Sequence, residues 1–433
     1  MRLAATQARR SLGISGTRHG IHYHAAAETN DEYMRRARQR ILSRKAKVII
    51  DTLSPMHSHL LDLALHSYLP PQHAQHTNGL PGLWSSADEL ALPQGHHLVY
   101  FPLQAQHRGD LIGDGADSDH CPGAPYVRRM WAAGSMTFDD DWPNAFRLDG
   151  RRVCCVETLG EPYMATNGGS NSGDETVFVE VTRRYGLVRD NHHPSGDQDA
   201  AEAISQPGGA IIHEVRKLAF KRKPPPPPPP NLTAPQRITT PFPRTDSPNQ
   251  EQPSSSSSSS SSIAADTSTS SRETSFKLTP DPLLLFQFSA LTYNAHAIHL
   301  DPEYARAVEG YPERLVHGPL TVVLVMALLR STLAAKTKTG GSERWFVQNI
   351  RYRNLRPLFV GQELTVRLRE DLSAQDDDDD DDDDDAAAAA GEEKKKKRKK
   401  KMVIWIEGPD GKPAVKGTSV AVLRTRDKAR KML

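Results

Sequence analysis

The sequence predicts an α+β protein of two folded modules, each an antiparallel sheet wrapped on a helix, separated by stretches that bury nothing. Three observations carry this. In VFVEVTRRY, residues 177–185, Val177, Val179 and Val181 alternate with Phe178, Glu180 and Thr182, the period of a half-buried strand. PLTVVLVMALLRSTLAA, residues 319–335, is a single long apolar stretch opened by a proline suited to the first helical position. Seven prolines at 224–230, nine serines at 254–262, ten aspartates at 376–385 and a basic run at 394–401 then divide the chain into parts that can and cannot fold.

The elements follow in order. Residues 28–91 read as an N-terminal helical segment, with Asp31 as a cap, Tyr33, Ala37, Ile41 and Val48 at helical spacing, a break at Pro55 and a restart over 57–66. Residues 92–222 form the first module, with strands expected at 97–101, 129–132, 153–159, 176–185 and 210–220, and a polar loop over 186–208. Residues 223–280 are expected to be a disordered Pro/Ser linker, stiff where proline runs on. Residues 281–433 form the second module: a strand at 283–289, a loop and short helix over 294–308, the long helix at 320–335, then strands at 346–354, 363–368, 402–407 and 414–423, with a PDG turn at 409–411. A charged insertion, 374–401, interrupts it, because neighbouring like charges repel and pack in no core.

Composition excludes several functions. A formal charge of +2 over 433 residues gives no whole-chain attraction to nucleic acid, and the aspartate block offsets the field of the lysine run beside it. Three cysteines, Cys121, Cys154 and Cys155, make neither a disulfide framework nor a zinc pattern, which fits a reducing compartment. The 319–335 stretch is short for a bilayer span and suits a buried core helix. Residues 1–27 contain no Asp or Glu but do contain Arg2, Arg9, Arg10 and Arg18 among Ala, Ser, Thr and Gly, as in a mitochondrial presequence.

Two stretches carry a resemblance. FQFSALTYNAHAIHLDPEYARAVEGYPERLVHGPL, residues 286–320, resembles the motif of R-specific enoyl-CoA hydratases and MaoC-like dehydratases: a loop Asp-x-Asn-Pro-x-His-x-Asp, then a His-Gly pair opening the long helix. Here those positions read Asn294, Ala295, His296, Ala297, Ile298, His299, Leu300 and Asp301, then His317 and Gly318. LPQGHHLVYFPL, residues 92–103, with LIGDGADSDHCPGAPYVRRMWAAGSMTF, residues 111–138, and the later FVQNIRYRNLRPLFVGQELTV, is similar to mitochondrial hydroxyacyl-thioester dehydratases of type 2 and to mesaconyl-CoA hydratases. The resemblance implies two fused hot-dog modules, antiparallel sheets wrapped on a central helix, with the catalytic residues in the C-terminal one. It also implies dehydration and hydration of acyl thioesters, on acyl-ACP or acyl-CoA, in mitochondrial fatty acid synthesis. The chain departs from the family where a catalytic Asp is usual, at Asn294.

Water addition across a 2-enoyl thioester needs a base, a water holder and a donor for the enolate oxygen. His299 suits the first role, since imidazole titrates near neutrality. Asn294 holds water but its amide does not ionise. Gly318, at the start of the long helix, offers an exposed N–H at the positive end of the helix dipole. His296, His317 and Trp131 are expected to line the substrate, and Asp301 to cap the short helix at Pro302. No metal or other cofactor is expected, although His296, His299 and His317 together invite the thought. Pairing of the double module into a homodimer is expected. The alternatives are a mesaconyl-CoA-type hydratase, a hot-dog thioesterase and a non-catalytic interaction protein. Thioesterases of this fold place a carboxylate on or near the central helix, and residues 319–335 contain none.

Overall fold

In the computed structural model the described residues are 28–70, 90–102, 108–166, 175–188, 196–222, 273–337, 343–371 and 398–425. The chain begins with α1 (Asn30–Leu42), β1 (Lys47–Thr52) and α2 (Pro55–His66). Thr29 caps α1 in a reciprocal capping box with Glu32, and Ser54 caps α2 ahead of Pro55. Then come β2 (Tyr126–Phe138), α3 (Trp142–Ala145), β3 (Arg152–Leu159), β4 (Tyr163–Thr166), β5 (Glu175–Leu187), α4 (Gly196–Ser205) and β6 (Ile212–Arg222). The second module runs β7 (Glu273–Leu278), α5 (Pro282–Leu291), α6 (Ala297–Leu300), α7 (Pro302–Ala307), α8 (Gly318–Ala335), β8 (Glu343–Asn354), β9 (Leu364–Glu370), β10 (Lys399–Glu407) and β11 (Pro413–Thr425).

All eleven strands belong to one sheet, ordered β1-β3-β5-β6-β2-β8-β11-β10-β9-β7, with β4 on β5. Read outward from the centre, the first module is β2-β6-β5-β3-β1 and the second β8-β11-β10-β9-β7. The two halves repeat one strand order, so β1 corresponds to β7, β2 to β8, β3 to β9, β5 to β10 and β6 to β11. The halves join by antiparallel pairing of β2 with β8, register Ala133↔Arg353 through Thr137↔Asn349. This covers on each module the edge that would otherwise recruit another chain. Gln94 reinforces the junction: its side chain donates to Val347 O at 2.7 Å and accepts from Val347 N at 3.0 Å, standing in for a strand neighbour.

Each module is the α+β hot-dog arrangement, with unequal helices. In the second, α8 buries Leu320, Val323, Leu324, Met326, Leu328 and Leu329, among others, against β8 and β9. It is long and apolar enough to cross a membrane by length and composition, and most of it is buried inside the protein. Between β1 and β2 the first module has, among the described residues, only α2 and two short 3-10 turns, His96–Val99 and Arg108–Asp110. One apolar core takes Ile49, Leu61, Phe138 and Phe146 from the first module together with α8 and the inner faces of β8, β9 and β10.

Several sequence expectations change. Residues 28–91 are no separate helical segment, because Val48 lies in β1, which pairs with β3 in the first module's sheet. Residues 97–101 are not a strand: Gly95, at φ +96°, turns the chain into the 3-10 turn. Residues 283–289 form helix rather than strand, because Asp281 caps Leu284 N and Pro282 takes the first helical position. The 186–208 loop contains α4. The linker ends earlier than 280, since β7 pairs with β9 from Glu273 onward. The charged insertion ends before 401, because Lys399, Lys400 and Lys401 belong to β10, where Lys400 pairs with Glu370 over the Trp345 ring. The presequence, both homopolymer runs of the linker and the aspartate block lie outside the described residues.

Candidate active site

Three histidines converge where the segment after α5 meets the start of α8. Tyr293, at φ +51°, turns the backbone sharply into Asn294, a costly conformation for a residue with a side chain. Asn294 Oδ1 then accepts from His296 N at 3.1 Å and fixes the entry to α6. Leu315 steadies α6 from the other side, its N–H donating to Ile298 O at 2.9 Å. Asp301 caps α7, accepting from Glu303 N and Tyr304 N at 2.8 and 3.0 Å, as its Asp-Pro order predicts.

His299 Nδ1 donates to Leu315 O at 2.8 Å. That bond fixes the tautomer and leaves Nε2 as the acceptor. The ring stacks on His317 at 3.7 Å between centroids and meets His296 edge-on at 5.5 Å. Burial, then the neighbouring His317 and His296, hold the His299 pKa well below the ordinary imidazole value, so it is neutral at pH 7. His296 Nε2 lies 3.3 Å from Asp114 Oδ2. Burial lowers the His296 pKa and Asp114 partly restores it, with a net lowering.

Asp114 comes from the first module, on the 111–138 stretch. The loop closes tightly on the site: Asp114 O accepts from Ala297 N at 2.7 Å. Gly115, at φ +82°, sits so close to Ala295 that a Cβ would stand 2.2 Å from its carbonyl oxygen. Burial pushes the Asp114 carboxyl up, but its hydrogen bond and attraction to His296 outweigh this and hold it below the usual value.

Gly318 opens α8 directly after His317. A Cβ here would meet Trp131 Cβ at 2.9 Å, so the glycine lets β2 approach the helix end. Among the described residues no acceptor meets the Gly318 N–H, which is one of the four free donors of a helix start. Trp131 is held by Nε1 donating to Tyr352 Oη at 3.1 Å, while its carbonyl accepts from Asn354 Nδ2 at 2.7 Å.

These groups share a cavity of about 440 Å³ lined by Asn294, His296, His299, Gly318 and Trp131. The structure therefore brings together five of the six residues singled out in the sequence. His317 is the correction. It lies behind His299, fully buried, with Nε2 on Ser289 Oγ at 2.8 Å and Nδ1 sealed without a partner among the described residues, and it does not line the cavity. Burial and then His296 lower its pKa to about 3. It supports His299 by stacking. Asp114 was missed. It lies in the 111–138 stretch that carries the resemblance, but nothing in that stretch says it crosses to the other module.

The double module, with its long helix and a histidine-lined cavity at the seam, defines a two-module hot-dog protein. The chain belongs to the hydroxyacyl-thioester dehydratase type 2 family, whose model matches residues 95–249 and 244–360, more than half of the chain. It is 62% identical over 53 residues to a mesaconyl-C(4)-CoA hydratase of Chloroflexus aurantiacus, 12% of this chain and 19% of that protein. It is 34% identical over 103 residues to the mitochondrial hydroxyacyl-thioester dehydratase type 2 of Schizosaccharomyces pombe, 24% of this chain and 32% of that one. The aligned stretches thus span about a third or less of these relatives. A solved MaoC-like dehydratase from Phytophthora capsici superposes with a TM-score of 0.47 at 13% identity, covering 91% of this chain and 99% of that one. The fold assignment rests on strand order and helix placement instead.

Proposed function

We propose that this protein catalyses the reversible addition of water to 2-enoyl thioesters and the reverse dehydration of 3-hydroxyacyl thioesters. The observation that supports this most is His299: neutral, oriented by Leu315 and left with an acceptor nitrogen at a cavity shared with the start of α8. His299 Nε2 takes a proton from water as the oxygen bonds to C3 of the enoyl group. The double-bond electrons move towards the thioester carbonyl, and the enolate oxygen accepts from the Gly318 N–H at the positive helix end. The same imidazole returns the proton to C2. Asn294 Nδ2, free of the local turn, holds the water, and the Asp114–His296 pair steadies the wall beside it. Dehydration is the same path reversed.

The test is direct. The protein incubated with crotonyl-CoA is expected to remove the absorbance of the conjugated thioester while releasing no thiol. Release of free CoA in place of hydration would support a thioesterase, and neither reaction a non-catalytic role. The carrier, CoA or acyl carrier protein, is settled by the same assay on both. A mitochondrial location, and with it a place in fatty acid synthesis there, has the support of the acid-free composition of residues 1–27 and of the S. pombe relative's name. Fluorescent fusion of the full chain tests it.

A further inference from the structure

We propose that Arg128 of the first module is a positioning residue for the reaction: it locks in place the stretch 296–309, on which His299 stands. The inference rests on the hydratase reading above and deepens it.

Arg128 lies on β2, directly after the strand shifts register against β6 between Tyr126 and Arg128. A bulge of this kind re-aims the side chain beside it, and this one reaches across to the second module. Its Nε donates to Glu309 Oε2 at 2.6 Å, and its Nη2 donates to Glu309 O at 2.8 Å. The guanidinium also lies over the Tyr311 ring, 4.4 Å from its centroid. One side chain thus grips the carboxylate, the backbone and the next ring of a single short segment. Glu309 is buried, and its other carboxylate oxygen accepts from Tyr304 Oη of α7 at 3.1 Å. Neither Arg128 nor Glu309 lines the cavity, so the pair acts through what it holds.

What it holds is the base. α6 and α7 form one unit, because Asp301 donates its N–H to Ala297 O at 2.8 Å and then caps α7. The first module grips this unit twice. At 296–297, Asp114 O accepts from Ala297 N at 2.7 Å and Asp114 Oδ2 meets His296 Nε2 at 3.3 Å. At 309, Arg128 takes the far end, and His299 lies between the two grips. Beyond Glu309 the chain runs past Tyr311 to Leu315, whose carbonyl accepts from His299 Nδ1 and so decides which ring nitrogen is left free. A planar guanidinium with donors set in a rigid fork suits this task, and a lysine has no such fork. A buried ion pair adds little net stability, because desolvation offsets the attraction, so the use of this one lies in fixing geometry.

The experiment measures crotonyl-CoA hydration across pH on the full chain and on Arg128→Gln, Arg128→Lys and Glu309→Gln. Amide hydrogen exchange, read by mass spectrometry, is followed on the same proteins. Freed at one end, the stretch lets the His299 ring drift from Leu315 and meet water. In Arg128→Gln kcat is expected to fall roughly 10- to 100-fold, the scale of a small misplacement of a reacting group, with KM little changed. The titratable and charged groups facing His299 are His317 at the start of α8, His296 beside it and Arg129 on β2. None is altered in these variants, so hydration of the ring raises its pKa towards the ordinary value and moves the acid limb of kcat to higher pH. Exchange should quicken over 296–309 and stay unchanged over α8. Arg128→Lys, which keeps the charge and loses the fork, should fall in between. Glu309→Gln weakens the same contact without leaving a buried carboxylate unpaired. It should repeat the pattern, and it decides the matter if Arg128→Gln does not fold. A wild-type kcat, or a lower kcat with the acid limb and the 296–309 exchange unmoved, overturns the proposal. So does a change in KM alone, which would make Arg128 a substrate contact. If the wild type hydrates no enoyl thioester while exchange over 296–309 still quickens in Arg128→Gln and Glu309→Gln, the hydratase reading fails and the lock stands.

Discussion

The two modules share one strand order and differ in what fills the space between their first two long strands. In the second, eighteen residues of α8 fill it. In the first, among the described residues, α2 and the 3-10 turn at His96–Val99 do so, and the cavity extends along this thinner filling past Leu98, Phe101, Val181 and Leu218. Both modules bury a histidine on a serine of an earlier helix: His317 on Ser289 of α5, and His96 on Ser58 of α2 at 2.7 Å. In the second, His296 and His299 also reach the cavity; from the first, His120 does, with its Nε2 2.8 Å from Glu157 Oε1. In the first, His97 is sealed between Phe138 and Tyr185 with neither ring nitrogen partnered among the described residues. On the proposed function the same scaffold gives chemistry in one half and space in the other: the first module's cavity imidazole has its Nε2 on the Glu157 carboxylate, whereas His299 uses only Nδ1, on Leu315 O.

Core truncation probes the first half of this contrast. Leu324→Ala, in α8, is expected to cost about 2–5 kcal/mol of stability. Leu98→Ala should cost clearly less, since Leu98 already borders a void. Denaturant titration of the full chain compares the two, and equal costs would show that the first module is packed as tightly as the second.

Asp114→Asn tests the reach of the first module into the chemistry. It removes the charge held against His296, and kcat is expected to fall roughly 10- to 100-fold, about 1.4–2.7 kcal/mol of barrier. A purely structural role would leave the pH profile of kcat in place; a positioning role moves its acid limb. Gln94→Ala cuts the two hydrogen bonds to Val347 and should destabilise by about 1–3 kcal/mol, measured by thermal melting, without altering substrate preference.

The buried imidazoles also set a pH dependence. Burial lowers the pKa of His97 to about 4 and that of His317 to about 3, and holds His96 well below the ordinary value. Each folded value is below the unfolded one of about 6.5, so the stability contributed is complete above that pH and is lost as pH falls through 6.5 towards 4 and 3. Asp62 opposes this: burial raises it to about 6, so the fold takes up its proton before the unfolded chain does. Three histidines outweigh one carboxyl, and denaturation midpoints should drop between pH 7 and pH 5. His97→Phe removes two unsatisfied buried nitrogens and should be neutral or stabilising by about 1 kcal/mol, with a shallower acid slope. An unchanged slope would show that His97 already carries a proton in the fold.

Much of this was legible in the sequence where a pattern is local. The apolar run of α8 and the alternation of Val177, Val179 and Val181 announce their elements, and Asn294, His299 and Gly318 sit on one short motif. What was not legible depends on distant partners. LLLFQFS at 283–289 is apolar at every period, so only the Asp281 cap and Pro282 decide for helix. Val48 looks helical until Val156 is seen to be its strand partner. Asp114 lies 182 residues from His296, and only the pairing of β2 with β8 brings the modules together around it. His317 has the residue type and the motif position of a contact residue, and packing behind His299 removes it from the cavity.

The central claim is that the imidazole of the second module does the chemistry while those of the first do not. It is tested most directly by measuring crotonyl-CoA hydration with two folded variants side by side, His299→Ala and His97→Phe. The account predicts a fall in kcat on the order of 10²–10⁴ for His299→Ala and near wild-type turnover for His97→Phe. Wild-type turnover in a folded His299→Ala protein would contradict it and leave His296, with Asp114 behind it, as the base.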